Sequence, residues 1–388
     1  MQTLRSRAII AGVGETAMGR LPDSTSLGLH AEAARRALDD AGMGLNDVDG
    51  VLTVGSLTDP WPHHSGALCE YLGLRPAYTD TVCQGGAGNC TMVQLAAMLV
   101  TSGICRTVLA VGADNQLSGM SRDAAVAAFA RNRHPEFEFP LGLSTPAGYA
   151  LMAQRHCHEY GTTREDLARV AVTCRENAAR HPGAQLDKPL SLEEALASKP
   201  IAEPLHMADC CLSSDGGSAV VVTGAERARD LPREPVYLLG AGQGFEQEHI
   251  CRATDLTTSG AARAAAAAYA MAGLGPDDVD VAQFYDCFTI TVLIQLEAYG
   301  FCPRGESGGF VRDGHISRSG SLPINTGGGM LAYGNPGISG GIIHVVEAVH
   351  QVRGTAGERQ IDGAQVALVT GVGAVLSHTS ALLLGKTP

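Results

Sequence analysis

The chain has 388 residues, 45% of them hydrophobic and 18% charged, a composition too apolar for a disordered protein and ordinary for a globular one. Its formal net charge of −12 argues against bulk attraction to nucleic acid or to an anionic membrane. No stretch reaches the roughly 18 apolar residues of a membrane helix, and the N-terminal residues lack the long apolar run of a signal peptide. We therefore expect a cytoplasmic protein whose 11 cysteines are reduced thiols.

Helices and apolar strands alternate along the chain, which predicts an α/β fold with sheets covered on both faces. In chain order the clearest elements are a strand in SRAIIAGVG (6–14), a helix in TMVQLAAMLVTSG (91–103), strands in TVLAVGAD (107–114), SAVVVTG (218–224) and PVYLLGAGQG (235–244), a helix in IIHVVEAVHQVRG (342–354), and strands in QVALVTGVG (365–373) and SALLLGK (380–386). The glycines Gly12 and Gly14, and those from Gly240 to Gly244, do not complete a dinucleotide-binding motif, so we interpret them as turns at strand ends.

An internal repeat indicates that the chain is a duplicated unit. Residues 34–55 resemble residues 265–286: in both, an Ala-rich helix ends at an Ala-Gly pair, and a turn, Asp-Val-Asp and an apolar strand follow. Glycine after a helix is the usual C-cap. We predict an N-terminal half of residues 1–234 and a C-terminal half of residues 235–388, packed about a pseudo-twofold axis. Residues of about 116–206 have no counterpart in the second half and are expected to form an inserted loop domain.

Other candidate motifs fit their chemistry poorly. Ser339 lies in a GxSxG pattern, but the elbow of serine hydrolases needs a strand directly before it, and the preceding AYGNP is turn-prone. The His63-His64 pair, the run from His156 to His158 and the Cys210-Cys211 pair lack the spacing of zinc ligands. We expect no metal site.

Three Gly-rich segments, residues 80–90, 325–341 and 370–378, are candidate substrate-binding loops. The first two open helices, whose N-termini suit an anionic group or an oxyanion, and the third follows a strand. Each could equally reflect tight packing at the twofold axis. Together with FYDCF (284–288) they favour one composite active site, to which the loops contribute Gly86, Gly328, Gly329 and Gly373.

These segments resemble the thiolase superfamily, on its sterol-carrier and lipid-transfer branch, over nearly the whole chain. MADCCLSSDGGSAVVVTGAERA (207–228) is similar to the segment that closes the family's first half. The segment that starts with YDCF at Tyr285 is similar to its His-Asp-Cys-Phe segment, and LPINTGGGMLAYGNPGISG (322–340) to its Gly-His-Pro loop. The resemblance implies a duplicated α-β-α-β-α sandwich, normally a dimer.

The departures from the family pattern concern the catalytic positions. Gly86 takes the place of the nucleophilic cysteine. Tyr285 and Asn335 take the places of two histidines, the second of which helps to form the family's oxyanion hole, and Cys287 is retained. Without the nucleophile, a covalent acyl-enzyme is not expected.

The resemblance is closest to lipid-transfer-protein-type aldolases of steroid side-chain degradation, which implies retro-aldol cleavage of a β-hydroxyacyl-CoA. Tyr285 and Cys287 are then expected to transfer protons, and Asn335 to donate an amide N–H to the thioester oxygen. Tyr333 is expected to place a second phenol in the same pocket. The implied partners are the acyl-CoA substrate, a second copy of the chain and a small OB-fold protein, and no cofactor beyond the substrate's CoA is expected.

Two other functions stay open. Cys83 and Cys90 lie three residues before and four residues after Gly86, so either could be the nucleophile of an acyltransferase or thiolase. The chain could also bind acyl-CoA or lipid without catalysis, with Tyr285 a structural residue of a buried junction.

Overall fold

The fold is described from a computed structural model, which describes residues 4–388, so the first three residues of the expected N-terminal half lie outside it. The strands are β1 (Ala8–Glu15), β2 (Gly50–Thr53), β3 (Tyr78–Thr81), β4 (Thr107–Asn115), β5 (Pro200–Ala202), β6 (Leu205–His206), β7 (Asp215–Gly224), β8 (Val236–Phe245), β9 (Val281–Gln283), β10 (Val366–Val372) and β11 (His378–Gly385). The α-helices are α1 (Ser26–Ala41), α2 (His64–Leu72), α3 (Gly88–Thr101), α4 (Gln116–Gly119), α5 (Arg122–Ala130), α6 (Thr145–Tyr160), α7 (Arg164–Ala178), α8 (Leu192–Ala197), α9 (Ala261–Ala272), α10 (Thr289–Ala298), α11 (Ser307–Arg312), α12 (Gly329–Ala332) and α13 (Ile342–Arg353).

The internal repeat predicted from the sequence is confirmed by two matching units. α1 ends at Gly42 and α9 at Gly273, and both glycines are left-handed, with φ of 67° and 65°. A 3-10 turn and a short strand, β2 or β9, follow in each unit. The aspartate of that turn, Asp47 or Asp278, accepts from the backbone N–H of the glycine three residues earlier at 2.8 Å. In both units, equivalent residues therefore end the helix and lead into the strand.

The strands of the two halves join in one nine-stranded mixed sheet, in the order β3-β2-β4-β7-β1-β8-β11-β10-β9. The halves meet where β1 pairs with β8, through Ile9 opposite Tyr237 and Ile10 opposite Val236. Pairing is parallel among β3, β2 and β4 and between β9 and β10, and antiparallel at the other junctions of this sheet. Antiparallel pairing at the centre places the two halves of the chain back to back.

Helices cover both faces of the sheet, which gives the layered sandwich that the sequence predicts. α3 and α13 each contact strands of both halves and form the central layer. α1 packs on the first half and α9 on the second. Among residues 4–388, no helix combines the length and the apolarity that crossing a membrane requires.

The glycines that were expected at strand ends instead lie inside β1 and β8, so that interpretation is wrong. They allow a helix backbone to approach the sheet closely. A Cβ on Gly12 would lie 2.2 Å from the Ala37 carbonyl oxygen in α1. A Cβ on Gly242 would lie 2.0 Å from the Ala264 carbonyl oxygen in α9. Glycine at these positions is a packing requirement of the two repeated units.

Residues 116–206, expected as a loop insertion, are largely helical and contain α4 to α8. Several of their side chains contact the second half, among them Tyr149 and His181. Tyr149 donates its hydroxyl proton to the Ala374 carbonyl at 2.8 Å, and the His181 ring stacks on that of Tyr333. The insertion therefore forms one wall of the region around the YDCF segment.

Candidate active site

Tyr285 lies at the junction between β9 and α10, where two polar side chains fix its backbone. Its N–H donates to Thr370 Oγ1 at 2.9 Å, and its carbonyl accepts from Gln295 Nε2 at 3.0 Å. Thr370 in turn donates to Gln295 Oε1 at 2.5 Å. Thr370 and Gln295 are fully buried, and Tyr285 retains 7% exposure. The backbone of Tyr285 is therefore held in place by buried side chains.

The phenol points at Gly86, the residue that the sequence predicts in place of the thiolase nucleophile. A Cβ on Gly86 would lie 2.1 Å from Tyr285 Oη and 2.2 Å from its Cζ. Gly86 is buried, and its carbonyl accepts from Asn89 Nδ2 at 2.9 Å. On the other side, Tyr285 Cε2 would be 3.0 Å from a Cβ on Gly341, directly before α13. The ring thus fills the space that a side chain at position 86 would need.

Both members of the expected proton-transfer pair are protonated at neutral pH. Burial raises the pKa of Tyr285 well above its usual range, and charge repulsion from Cys287, Cys211 and Asp286 raises it further. Burial also raises the pKa of the Cys287 thiol to about 11, although hydrogen bonds with neighbouring hydroxyl groups partly offset this effect. The pair can donate protons, but neither group is a base before it has lost one.

Tyr149 is a site residue that the sequence analysis missed. It is 1% exposed, and its ring stacks on that of Phe288 with centroids 4.5 Å apart. Its hydroxyl donates to the Ala374 carbonyl at 2.8 Å, and its presence partly offsets the rise that burial causes in the pKa of the neighbouring Cys287 thiol. Tyr149 belongs to α6, and nothing in the sequence around it distinguishes it from an ordinary core aromatic residue.

Asn335 does not present a free N–H to the pocket. Its Nδ2 donates to the Leu212 carbonyl at 2.9 Å and to Cys211 Sγ at 3.2 Å, which uses both amide hydrogens. Rotating the amide by half a turn would bring two oxygens together at Leu212, which is unfavourable. Its Oδ1 is buried without a hydrogen-bond partner among residues 4–388, and a Cβ on Gly340 would lie 2.0 Å from it. The geometry therefore does not support Asn335 as an oxyanion donor.

Tyr333 faces a second cavity rather than the Gly86 pocket. Its ring lies flat on that of His181, with centroids 4.0 Å apart and planes at 7°. Burial raises the pKa of Tyr333 well above its usual range, and the neighbouring Glu15 carboxylate raises it further. Tyr333, Glu15 and Glu347 line this cavity together. The expectation that Tyr333 shares the pocket of Tyr285 is not supported.

The residues of the second cavity were also missed at the sequence level, although they carry a recognisable signal. Glu15 ends the apolar run AIIAGVGE, which is β1. His344 and Glu347 interrupt the apolar run IIHVVEAV of α13 and are 1% and 6% exposed. Charged or ionisable residues in an apolar run are seldom buried without partners or a function.

Two of the three Gly-rich segments touch one another beside the phenol. A Cβ on Gly373 would lie 2.2 Å from the Gln84 carbonyl oxygen, and one on Gly371 would lie 3.1 Å from the Gly86 carbonyl oxygen. The third segment, residues 325–341, is joined to the site through Asp286, which accepts from the backbone N–H of Met330 at 2.8 Å.

Gly328 and Gly329 have left-handed backbones, with φ of 101° and 62°. A Cβ on Gly328 would lie 2.6 Å from that of Ala178, and one on Gly329 would lie 2.1 Å from Asp286 Oδ2. Tight packing alone therefore explains these two glycines, and their contact with a substrate stays a prediction.

The alternative nucleophiles are poorly placed or unreactive. Cys90 is fully buried in α3, and burial raises the pKa of its thiol to about 12. Cys83 is exposed, and its Sγ lies 3.6 Å from the Thr81 carbonyl. Ser339 is fully buried, and its hydroxyl donates to the Ala113 carbonyl at 3.3 Å. Within residues 4–388, no three His, Cys, Asp or Glu side chains converge as a metal site would require.

Comparison with known proteins places both halves of the chain in one family. Residues 8–226 match the thiolase N-terminal domain, and residues 242–386 match the thiolase C-terminal domain-like family. A steroid side-chain-cleaving aldolase of Thermomonospora curvata is 39% identical, with 99% of each chain covered. A 17-hydroxy-3-oxo-4-pregnene-20-carboxyl-CoA lyase of Mycobacterium tuberculosis is 38% identical, with 98% of this chain and 100% of the relative covered.

One solved structure is similar in both sequence and fold. The Ltp2-ChsH2(DUF35) aldolase superposes with a TM-score of 0.88 at 38% sequence identity. The alignment covers 98% of each chain.

Proposed function

This chain belongs to the thiolase family, and we propose that it acts there as a carbon–carbon lyase that cleaves a β-hydroxyacyl-CoA by a retro-aldol step. The proposed substrate is the coenzyme A thioester of a steroid side chain. Support comes from two relatives of 38% and 39% identity over nearly the whole chain, one named a steroid side-chain-cleaving aldolase and the other a CoA lyase.

The observation that carries the proposal is the contact between Tyr285 and Gly86. Thiolase chemistry needs a cysteine side chain where Gly86 stands, and a Cβ there would lie 2.1 Å from the Tyr285 hydroxyl oxygen. The site therefore holds a proton donor where the family holds a nucleophile. An aldol cleavage needs no acyl-enzyme, because the β-carbon of the substrate leaves as a ketone and not as an acyl group that a nucleophile must accept.

The phenol fits the second half of such a reaction. After the Cα–Cβ bond breaks, its electron pair is left on the acyl-CoA as an enolate, which must be protonated at Cα. Because burial raises the pKa of Tyr285, the phenol enters the cycle with its proton in place and can give it to Cα. Cys287, with a pKa of about 11, is a second neutral donor beside it.

The proposal is tested with 17-hydroxy-3-oxo-4-pregnene-20-carboxyl-CoA, the compound for which one relative is named. The parent protein should convert this compound into two products, a ketone and a shorter acyl-CoA, in equal amounts. Mass spectrometry of the intact protein during turnover should show no added acyl group. An acylated cysteine, or the absence of cleavage by the parent with and without a partner protein, would overturn the proposal.

Of the two alternative nucleophiles, Cys83 is the more accessible, because Cys90 is buried and its thiol pKa is raised to about 12. Cys83 is exposed, and its only hydrogen bond within residues 4–388 is to its own loop, at the Thr81 carbonyl. Digestion and peptide mapping of the protein after incubation with acetyl-CoA would reveal an acyl group on Cys83 if this function were correct.

We also propose that the protein is a cytoplasmic homodimer that works with a small OB-fold protein. β3 supports the dimer, because it is an edge strand of the sheet and leaves one row of backbone groups without a strand partner among residues 4–388. The partner is supported by the similar aldolase, whose name joins two components. Light scattering of the isolated chain at micromolar concentration should give twice the chain mass of 40.2 kDa. A stable monomer would contradict the dimer.

A further inference from the structure

A small polar cavity lies near Tyr285 and is lined in part by His344, whose ring centroid is 6.3 Å from that of Tyr285. It has room for about one water molecule and is lined by Glu15, Tyr333, His344, Glu347 and Gln283, among others. Gln283 ends β9, two residues before Tyr285. The cavity is therefore formed by the same strand end that carries the catalytic phenol.

Two carboxyl groups, Glu15 and Glu347, line this cavity. Glu347 pairs with Arg359, whose Nε donates to it at 3.0 Å, and accepts from the Thr326 hydroxyl at 2.8 Å. Glu15 is partly buried at the end of β1 and accepts from the Ser218 hydroxyl at 3.2 Å. Burial and the charge of Glu347 raise the pKa of Glu15 to about 7.

The other polar groups that face Glu15 lower its pKa, but by less than burial and Glu347 raise it. The hydrogen bond from Ser218, the charge of Arg359 and the hydrogen bond from Tyr333 each lower its pKa. His181 stacks on the ring of Tyr333 and also lines the cavity. The net effect places the pKa of Glu15 at about 7, so its charge changes near neutral pH.

His344 connects the cavity with the phenol. Its ring centroid lies 6.3 Å from that of Tyr285, and it also lines the cavity. Its Nε2 is 3.2 Å from Asp286 Oδ1 but is not aligned with it, and it has no hydrogen-bond partner among residues 4–388. At 1% exposure, an imidazole nitrogen without a hydrogen-bond partner is costly unless a water molecule in the cavity binds it.

We propose that Glu15 is the remote proton acceptor of the retro-aldol step and that His344 and the cavity pass the proton between Glu15 and Tyr285. The inference rests on the proposed function and supplies the proton acceptor that the proposed reaction requires. A phenol and a thiol that are both protonated cannot accept the β-hydroxyl proton until another group has taken one of theirs.

Over the whole reaction, one proton moves from Tyr285 to Glu15 and then back, so the protein ends in its starting state. The β-hydroxyl proton passes to Tyr285 Oη while the phenol's own proton passes through His344 and the cavity to the Glu15 carboxylate. The Cα–Cβ electron pair moves into the enolate of the acyl-CoA, and the ketone is released. Glu15 then gives the proton back along the same path, and Tyr285 protonates Cα. No oxidant or other reactant is consumed.

The pH dependence of kcat on 17-hydroxy-3-oxo-4-pregnene-20-carboxyl-CoA tests this proposal. In the parent, kcat should fall as the pH drops below about 7, because a protonated Glu15 cannot accept a proton. Glu15→Gln should lower kcat at about pH 8 by 10²-fold or more, the usual loss for an acid–base group, and should abolish the fall near pH 7. Glu138→Gln removes a buried carboxyl outside the cavity and should leave the midpoint of the fall in kcat, the pH at which kcat is half its plateau value, unchanged.

Two further variants should move the midpoint in opposite directions. Glu347→Gln removes the repulsion that raises the pKa of Glu15, so the fall in kcat should shift to lower pH. Tyr333→Phe removes a hydrogen bond that lowers that pKa, so the fall should shift to higher pH. His344→Gln should lower kcat without moving the midpoint. A purely structural cavity would not produce opposite shifts.

The possible outcomes distinguish the role of Glu15 as proton acceptor from the lyase activity itself. A parent that cleaves the compound, with a Glu15→Gln variant of equal kcat and unchanged pH profile, overturns the proton acceptor and leaves the lyase in place. A parent that does not cleave the compound at any pH overturns the lyase. Circular dichroism shows whether Glu15→Gln is folded. If it is not, Glu347→Gln and Tyr333→Phe decide, and midpoints that coincide with that of the parent overturn the proposal.

Discussion

The close approach of Tyr285 to Gly86 predicts that a single methyl group added at position 86 destabilises the protein and lowers its activity. In Gly86→Ala, the new Cβ would lie 2.1 Å from Tyr285 Oη and 2.2 Å from its Cζ, more than 1 Å inside ordinary contact distance. The ring cannot retreat easily, because its backbone is clamped by Thr370 and Gln295 and its Cε2 faces Gly341. Overpacking of this kind costs about 1–3 kcal/mol of the free energy of unfolding. Cleavage activity should also fall by at least about 10²-fold, because the phenol is displaced.

A double-mutant cycle shows whether the cost comes from the phenol. Tyr285→Leu removes the Oη, Cζ and Cε2 atoms, so Gly86→Ala made in that background should cost less than about 0.5 kcal/mol. Urea denaturation of the four proteins gives the coupling, expected at about 1–3 kcal/mol. Gly55→Ala is the matched control, since a Cβ there meets no atom within 4 Å among the described residues. Equal costs of Gly86→Ala in both backgrounds would refute the packing of the phenol against Gly86.

Three further predictions follow from the site. Replacing Cys83 and Cys90 together with alanine should leave the cleavage rate within a few-fold of the parent, as a coupled assay of the acyl-CoA product will show; a complete loss in a folded protein would favour the acyltransferase. Asn335→Ala should lower the free energy of unfolding by about 1–3 kcal/mol through two lost hydrogen bonds, whereas a kcat loss of about 10² to 10³ at unchanged stability would restore its role as an oxyanion donor. Glu15→Gln should be more stable than the parent at about pH 8, by at most about 3 kcal/mol, and equally stable at about pH 4. The reason is that Glu15 of the parent keeps its proton to a higher pH in the native state than in the unfolded state, so the parent loses stability as the pH rises from 4.5 to about 7. Urea denaturation of both proteins at both pH values measures the difference.

The sequence predicts most of the fold because its signals are local. The Ala-Gly caps at Gly42 and Gly273 and the Asp-Val-Asp turns depend only on residues a few positions apart, and both copies form as predicted. The glycines of β1 and β8 were misinterpreted because their reason is not local. It lies in Ala37 and Ala264, which belong to helices that pack across the sheet.

The site was predicted in part for the same reason. The sequence identifies Gly86 and Tyr285 as departures from a family pattern, but not that the ring of one fills the space beside the other. Tyr333 was assigned to the wrong pocket because two residues of spacing from Asn335 do not fix the direction of a side chain in an irregular loop. Its direction depends on His181, which the insertion brings from a distant part of the chain.

The central claim is that the phenol of Tyr285 replaces the thiolase nucleophile in a lyase. Tyr285→Phe tests it most directly, because it deletes one oxygen and keeps the ring against Gly86. The rate of cleavage of 17-hydroxy-3-oxo-4-pregnene-20-carboxyl-CoA should fall by about 10² to 10⁴, with little change in the free energy of unfolding. A Tyr285→Phe variant that cleaves the compound as fast as the parent would show that the phenol is structural and would contradict this account.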